Sequence, residues 1–177
     1  MKIAIMGYSG SGKSTLARAL GKKYGAEVLH LDHVHWLPGW KARSREDKCE
    51  IVKSFLDSHD SWVIDGNYTS VFEERRLEEA DMIVVMLFGR IACYLRARKR
   101  LKKYRGKSRP DMGEGCCEKI DHEFVKWLFF GGRTKEKREH YRFITEKYRE
   151  KTTVIKNQKE LDRFMLAQTG RAEPEDI

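Results

Sequence analysis

Residues 7–15 read GYSGSGKST, and no other stretch so narrows what the chain can become. The segment matches G-x-x-x-x-G-K-[ST] in full, with Gly7, Gly12, Lys13 and Ser14 at the required places. Glycines there let successive backbone N–H groups turn inward around an anion with no Cβ in the way. What flanks the loop matters as much. KIAIM at 2–6 is a short apolar run of the kind a buried strand shows, and STLARALGKKYG puts Leu16, Ala19 and Leu20 on one helical face before stopping at Gly21–Gly25. A strand, a glycine turn and a helix N-terminus together form a phosphate cradle. Its expected contacts are Gly7, Ser9, Gly10, Ser11, Gly12, Lys13, Ser14 and Thr15. Lys13 reaches the β- and γ-phosphates of a nucleoside triphosphate, Ser14 offers its hydroxyl to Mg²⁺, and Thr15 meets the α-phosphate.

The rest of the chain repeats this alternation. Strands are expected at 27–32 (EVLHLD), 61–66 (SWVIDG), 82–88 (MIVVMLF) and 152–156 (TTVIK). Helices are expected at 44–59 with Ser44 as cap, at 71–80, 91–104, about 118–129, 134–150 and 158–167. Strands that are apolar along their whole length, alternating with helices, predict an α/β fold with a parallel sheet covered on both faces. The expectation is one domain over residues 1–170, with a basic helical insertion at about 90–130 acting as a lid, and a frayed tail at 171–177.

Composition sets the compartment and the partners. Of 177 residues 36% are charged and 40% hydrophobic, which suits a folded domain with a wet surface. The four cysteines form no C-x-x-C pair and no disulfide framework, so reduced thiols in a cytoplasmic protein are expected. The longest apolar run, at 82–88, is far short of the ~20 residues a bilayer span needs. No membrane partner is expected, and MKIAIMGYSGSGK does not read as a signal peptide.

The charge is unevenly placed. The net charge is +9, yet residues 90–109, RIACYLRARKRLKKYRGKSR, hold ten Lys or Arg and no acid, so everything else sums to −1. Two structures account for such a segment: a cover closing over a polyphosphate, or an arm lying along nucleic acid. Arg105 and Arg109 flank a Gly/Ser loop and can swing inward, which makes them the catalytic candidates for stabilising a transferring phosphoryl group. Arg96, Arg100 and Lys103 share one face of the preceding helix. No helix-turn-helix, zinc-finger or RNA-recognition signature accompanies the charge, so only weak, non-specific DNA attraction is expected.

A switch GTPase would need a base-reading N-K-x-D, and N-Q-K-E at 157–160 does not supply it. A compact domain with a basic insertion suits a small-molecule kinase that shuts out water during γ-phosphoryl transfer. Asp32 and Asp65 close two of the strands, HLD and VIDG, at the edge of a parallel sheet where ligands bind. Asp65 is assigned to Mg²⁺ and Asp32 to the acceptor hydroxyl, with the reverse as the alternative. Trp36, Asn67, Tyr68 and Arg76 are the further acceptor candidates. The loop Trp36–Pro38–Trp40 either stacks an acceptor ring or plugs the core edge. His30, His33 and His35 lack a completing ligand set, and structural or substrate-loop roles are expected for them.

The succession GYSGSGKST, HLDHVHWLPGW, VIDGNY and YRGKSRPDMGEGC resembles the bacterial topology-modulation proteins, of the adenylate-kinase-related P-loop kinases. The likeness covers about residues 1–167. It implies a P-loop NTPase fold of the nucleoside monophosphate/shikimate kinase-like type, with a five-stranded core in the order 2-3-1-4-5, ATP as donor and a lid after strand four. SRP at 108–110 is similar to the lid arginine-proline of shikimate kinases, which implies that Arg109 touches phosphate. Adenylate kinases continue Asp-Gly with Phe-Pro-Arg, whereas here Asn67 and Tyr68 follow. The family name implies an effect on DNA supercoiling that none of these residues accounts for.

Overall fold

The computed structural model describes residues 1–106, 111–113 and 115–169. In chain order the elements are β1 (Lys2–Gly7), α1 (Lys13–Tyr24), β2 (Glu27–His30), α2 (Leu31–His35), β3 (Trp36–Leu37), β4 (Lys41–Ala42), α3 (Arg45–Ser58), β5 (Trp62–Asp65), α4 (Glu73–Glu79), β6 (Met82–Met86), α5 (Arg90–Lys103), α6 (His122–Phe129), α7 (Lys135–Lys147), β7 (Thr152–Ile155) and α8 (Gln158–Thr169). Five of the strands form one parallel sheet in the order β2-β5-β1-β6-β7. Counted within that sheet alone this is 2-3-1-4-5, the α/β P-loop NTPase arrangement that the resemblance implied.

The core lies along the three central strands. Residues 3–7 of β1, all of β5 and residues 83–86 of β6 are buried without a break. Successive side chains of a strand point to opposite faces, so unbroken burial means that both faces of the sheet are covered. Leu16, Ala17 and Leu20 of α1 form part of that cover. Ser44 caps α3 as expected, its hydroxyl accepting from the Asp47 amide at 3.0 Å.

Three local expectations are corrected. β2 stops at His30, where its ladder with β5 ends in the pair His30↔Asp65. With no further strand to bond, the chain turns into α2, and buried Leu31 packs beneath Gly66. Asp32 therefore rises from the first turn of a short helix rather than from a strand end. Next, the α1 pattern does not pause at Gly21: that residue lies inside the helix, where a Cβ would come within 2.3 Å of the Val28 side chain. The glycine stop is Gly25, left-handed at φ 58°. Finally, α6 starts at His122 rather than near 118, because Asp121 caps it by accepting from the Phe124 amide at 2.8 Å. The hairpin β3–β4 was not foreseen. No helix among the described residues is long and apolar enough to cross a membrane.

Gly7 fixes how the first strand meets the loop. Its φ is +135°, and an added Cβ would sit 2.1 Å from the Met86 carbonyl oxygen on β6. Both backbone strain and overlap then oppose any side chain, so Gly7→Ala is expected to cost about 2–6 kcal/mol. Calorimetric unfolding of the variant should show a midpoint lowered by many degrees; an unchanged midpoint would contradict the close approach.

Candidate functional site

The cradle is built as its spacing requires. The Tyr8 amide bonds the Met86 carbonyl at 3.0 Å, and the Ser11 amide closes a turn on Tyr8 at 3.2 Å. Gly12, left-handed at φ 98°, caps α1 without a side-chain acceptor, and no acidic residue stands in the first turn. The amides of Lys13, Ser14 and Thr15 are thus left for an anion, with the positive end of the helix behind them. The Lys13 ammonium donates to the Tyr8 carbonyl at 3.2 Å. Burial pushes its pKa below the ordinary value, while Asp32 and Asp65 pull the other way without prevailing. A polyanion in the cradle supplies the charge that this lysine lacks.

Four consecutive residues at the end of β5 organise what surrounds it. Asp65, only 4% exposed, accepts from the Ser14 hydroxyl at 2.9 Å through Oδ2 and from His30 Nδ1 through Oδ1. Burial works against a charged His30, but its hydrogen bond to Asp65 and that carboxylate's charge outweigh burial and raise its pKa. The Gly66 amide donates to Ile5 at 3.0 Å. Asn67 holds Gly7 from both sides: its Oδ1 accepts the Gly7 amide at 2.9 Å and its Nδ2 donates to the Gly7 carbonyl at 2.7 Å. The Tyr68 hydroxyl donates to Asp32 Oδ1 at 2.8 Å. Its pKa is raised well above the ordinary phenol value by burial first and by Asp32 second.

From Tyr68 a run of rings leads along the same cavity. His35 stacks on Tyr68 at 4.7 Å, Trp36 meets His35 edge-on at 4.5 Å, and Trp40 meets Trp36 at 5.5 Å. Burial and Lys48 keep the His35 pKa below its ordinary value. The cavity, about 1010 Å³, is continuous from the glycine loop past Lys13 and Asp32 to Trp36 and Trp40.

The basic segment divides. Arg96, Lys99, Arg100 and Lys103 of α5 line the cavity. Arg96 lies over the Phe88 ring at 4.1 Å and donates to the Ser11 carbonyl and to Gln158 Oε1. Arg100 donates to Glu118 at 2.8 and 2.7 Å.

Several sequence-predicted residues stand elsewhere than expected. Arg105 is exposed beside Leu95, Arg98 and Lys102 and does not line the cavity, because it follows the end of α5 and pairs its backbone with Glu118. Arg109 and the tail at 171–177 lie outside the described residues. Arg76, placed by sequence with the acceptor, is 1% exposed and does not line the cavity. Its guanidinium donates to Val71 at 3.0 Å and Tyr68 at 2.7 Å, holding the loop that carries Tyr68, and burial lowers its pKa to about 10. Asn67 lines the cavity but is spent on Gly7. The three histidines do not converge: among the described residues no group of three or more His, Cys, Asp or Glu could hold a metal ion.

Sequence reasoning missed Arg133, Arg18 and Asp111. Arg133 lies buried under the Tyr8 ring at 3.7 Å and donates to the Phe88 carbonyl at 2.9 Å, supporting the loop from below. Arg18 and Asp111 pair at 3.5 Å across the cavity wall. A lone arginine after Gly-Gly and an aspartate after Arg-Pro carry no spacing signal, so nothing in the sequence singles them out.

A family model for the AAA domain matches residues 3–126. No curated protein matches the chain. Similar solved structures include a sugar kinase from a Janibacter species (TM-score 0.49, 14% identity, 97% of this chain and 95% of that one). A deoxyadenosine kinase from M. mycoides with bound dATP gives 0.48 at 16% identity over 94% and 98%. A shikimate kinase from Bacteroides thetaiotaomicron gives 0.46 at 14% over 94% and 97%.

Two outcomes follow from the site's wiring. Arg76→Met leaves the Val71 and Tyr68 carbonyls without their donor and is expected to cost about 2–4 kcal/mol in urea unfolding. His30 has its folded pKa above its unfolded value near 6.5. The stability it contributes is complete below that pH and is lost as pH rises through the raised value. The gap in unfolding midpoint between the natural protein and His30→Gln should therefore narrow over that interval; a gap constant from pH 5 to 9 would contradict the pairing.

Proposed function

The chain belongs to the AAA-domain family, and on that premise we propose that it is a phosphotransferase of the adenylate-kinase-like type, moving the γ-phosphoryl group of ATP to a small hydroxyl- or phosphate-bearing acceptor. One observation carries the reading: a single cavity holds both the glycine loop with Lys13 and an Asp32 carboxylate oriented by Tyr68. Its volume, about 1010 Å³, reaches the top of the range for one drug-sized ligand, which leaves room for a donor and a second molecule. A switch or a simple ATPase has no use for four aromatic rings and a second carboxylate at the end of the cavity away from the glycine loop. The four sequence motifs favour the topology-modulation branch of these kinases.

In this mechanism the loop amides and Lys13 hold the β- and γ-phosphates. Asp32 takes the proton as the acceptor's O–H bond breaks. The acceptor oxygen forms a new bond to the γ-phosphorus, and the β–γ bridging oxygen leaves with the electron pair as ADP. Ser14 and Asp65 present two hard oxygens side by side, 2.9 Å apart, a donor pair that fits Mg²⁺. They would hold it, with Asp65 rather than Asp32 in that role. What the ion supplies when bound is neutralisation of charge on the β- and γ-phosphates. Arg96 and Arg100 take over the lid role expected of Arg105, and Arg109 keeps its proposed phosphate contact. The family match gives DNA binding no support.

Lys13→Ala is expected to lower acceptor-dependent ADP release by about 10²–10³. Asp32→Asn should lower kcat by about 10²–10⁴ while ATP affinity stays within about twofold. Coupled assay of ADP release with a panel of nucleosides, nucleotides, sugars and hydroxy acids decides the matter. If no compound lifts release above the Lys13→Ala background, the protein is not a kinase of small acceptors.

A further inference from the structure

Resting on the kinase reading, we infer that the acceptor is an uncharged, hydroxylated ring, a sugar, cyclitol or nucleoside, and not a nucleotide or hydroxy acid. The inference stands on what the far end of the cavity offers. Its walls there are the rings of His35, Trp36, Trp40 and Tyr68, with Asp32 among them. Flat aromatic faces stack on a base or on the C–H face of a sugar, and a carboxylate accepts from hydroxyls. Neither feature recognises an anion, and Asp32 repels one.

The cations near these rings are committed to other groups. Arg76, which the sequence placed with the acceptor, is buried on backbone carbonyls and does not line the cavity. Arg18 faces Asp111 at 3.5 Å. Lys119 bonds Asp121 at 2.8 Å. Lys48 turns toward His35 and does not line the cavity. An anionic acceptor would compete with carboxylates for Arg18 and for Lys119, whose ammonium lies 5.9 Å over the Trp40 ring, and would face Asp32 as well. A neutral ring displaces water poorly held against aromatic surface and exchanges the hydration of a hydroxyl for a hydrogen bond to Asp32.

The acceptor end is also covered from above. Residues 111–113 and 115–116 lie against the β3–β4 hairpin: a Cβ on Gly113 would come within 2.5 Å of the Trp36 carbonyl, and Cys116 Sγ donates to the Leu37 carbonyl at 3.3 Å. This part of the 90–130 insertion thus presses on the tryptophan hairpin, fixing Trp36 as a rigid wall. Rigid rings discriminate by shape and stacking at little cost in ordering.

The test compares two arms on the intact protein with Mg-ATP: glucose, ribose, myo-inositol, adenosine and cytidine against AMP, CMP, gluconate and shikimate. Acceptor-stimulated ADP release is expected from the neutral arm, with kcat/KM at least about tenfold above the best anion. Trp36→Ala should raise the KM of the neutral acceptor by about tenfold, the loss of roughly one stacking contact, with the KM of ATP unchanged and Trp36→Phe restoring most of it. Release stimulated best by an anion leaves the kinase reading standing and overturns this inference. A Trp36→Ala enzyme with unaltered acceptor KM overturns it as well. Stimulation by neither arm refutes the kinase reading and this inference with it.

Discussion

The turn Asp65–Tyr68 is the constraint on which the remainder of the site depends. Each of its four residues is tied to a different part of the fold: Asp65 to α1 and β2, Gly66 to β1, Asn67 to the first glycine of the loop, and Tyr68 to α2 through Asp32. The groups are largely withdrawn from water, so their hydrogen bonds are strong when all are made and costly when one is missing. The phosphate cradle and the carboxylate across from it are therefore set by one segment and keep a fixed spacing. Arg76 extends the same device by bonding the carbonyls of Tyr68 and Val71 from beneath.

Charge is arranged around that frame to await a polyanion. The cavity carries Lys13 with its pKa held down by burial, and four cations of α5 beside it. Without a ligand such a concentration of positive groups opposes the compact state; with phosphate bound it is offset, so ligand binding and fold stability are linked. The sequence-level oddity of ten cations in twenty residues acquires a physical meaning here. One face of α5 serves the cavity, and the opposite face, with Arg98, Lys102 and neighbouring Arg105, meets solvent.

The two ends of the cavity differ in kind. At the glycine loop the recognition is electrostatic and made mostly by backbone, indifferent to which side chains lie in between. The hairpin end offers aromatic surface and one carboxylate instead, and Gly113 and Cys116 press on the hairpin.

The glycine loop and the buried strands of a parallel sheet were legible in the chain itself, because each rests on local rules. The order of the sheet was implied by the resemblance to P-loop kinases, and the contact of Ser14 with Asp65 came from the tertiary structure. Spacing of glycines dictates a cradle, apolar runs dictate buried strands, and parallel strands bring their carboxyl ends together. For the histidines the sequence pointed to structural or substrate-loop roles, and the packing decided which partners they meet: His30 bonds Asp65 and His35 stacks on Tyr68. What Asn67, Arg76 and Arg105 do was decided by the tertiary structure alone. Asn67 reaches a glycine sixty residues away, Arg76 finds carbonyls where a phosphate was expected, and Arg105 follows the end of α5, where the chain has already turned from the cavity. A side chain's type states which bonds it can make; which partner lies within 3 Å depends on how distant segments pack, and no spacing along the chain encodes that.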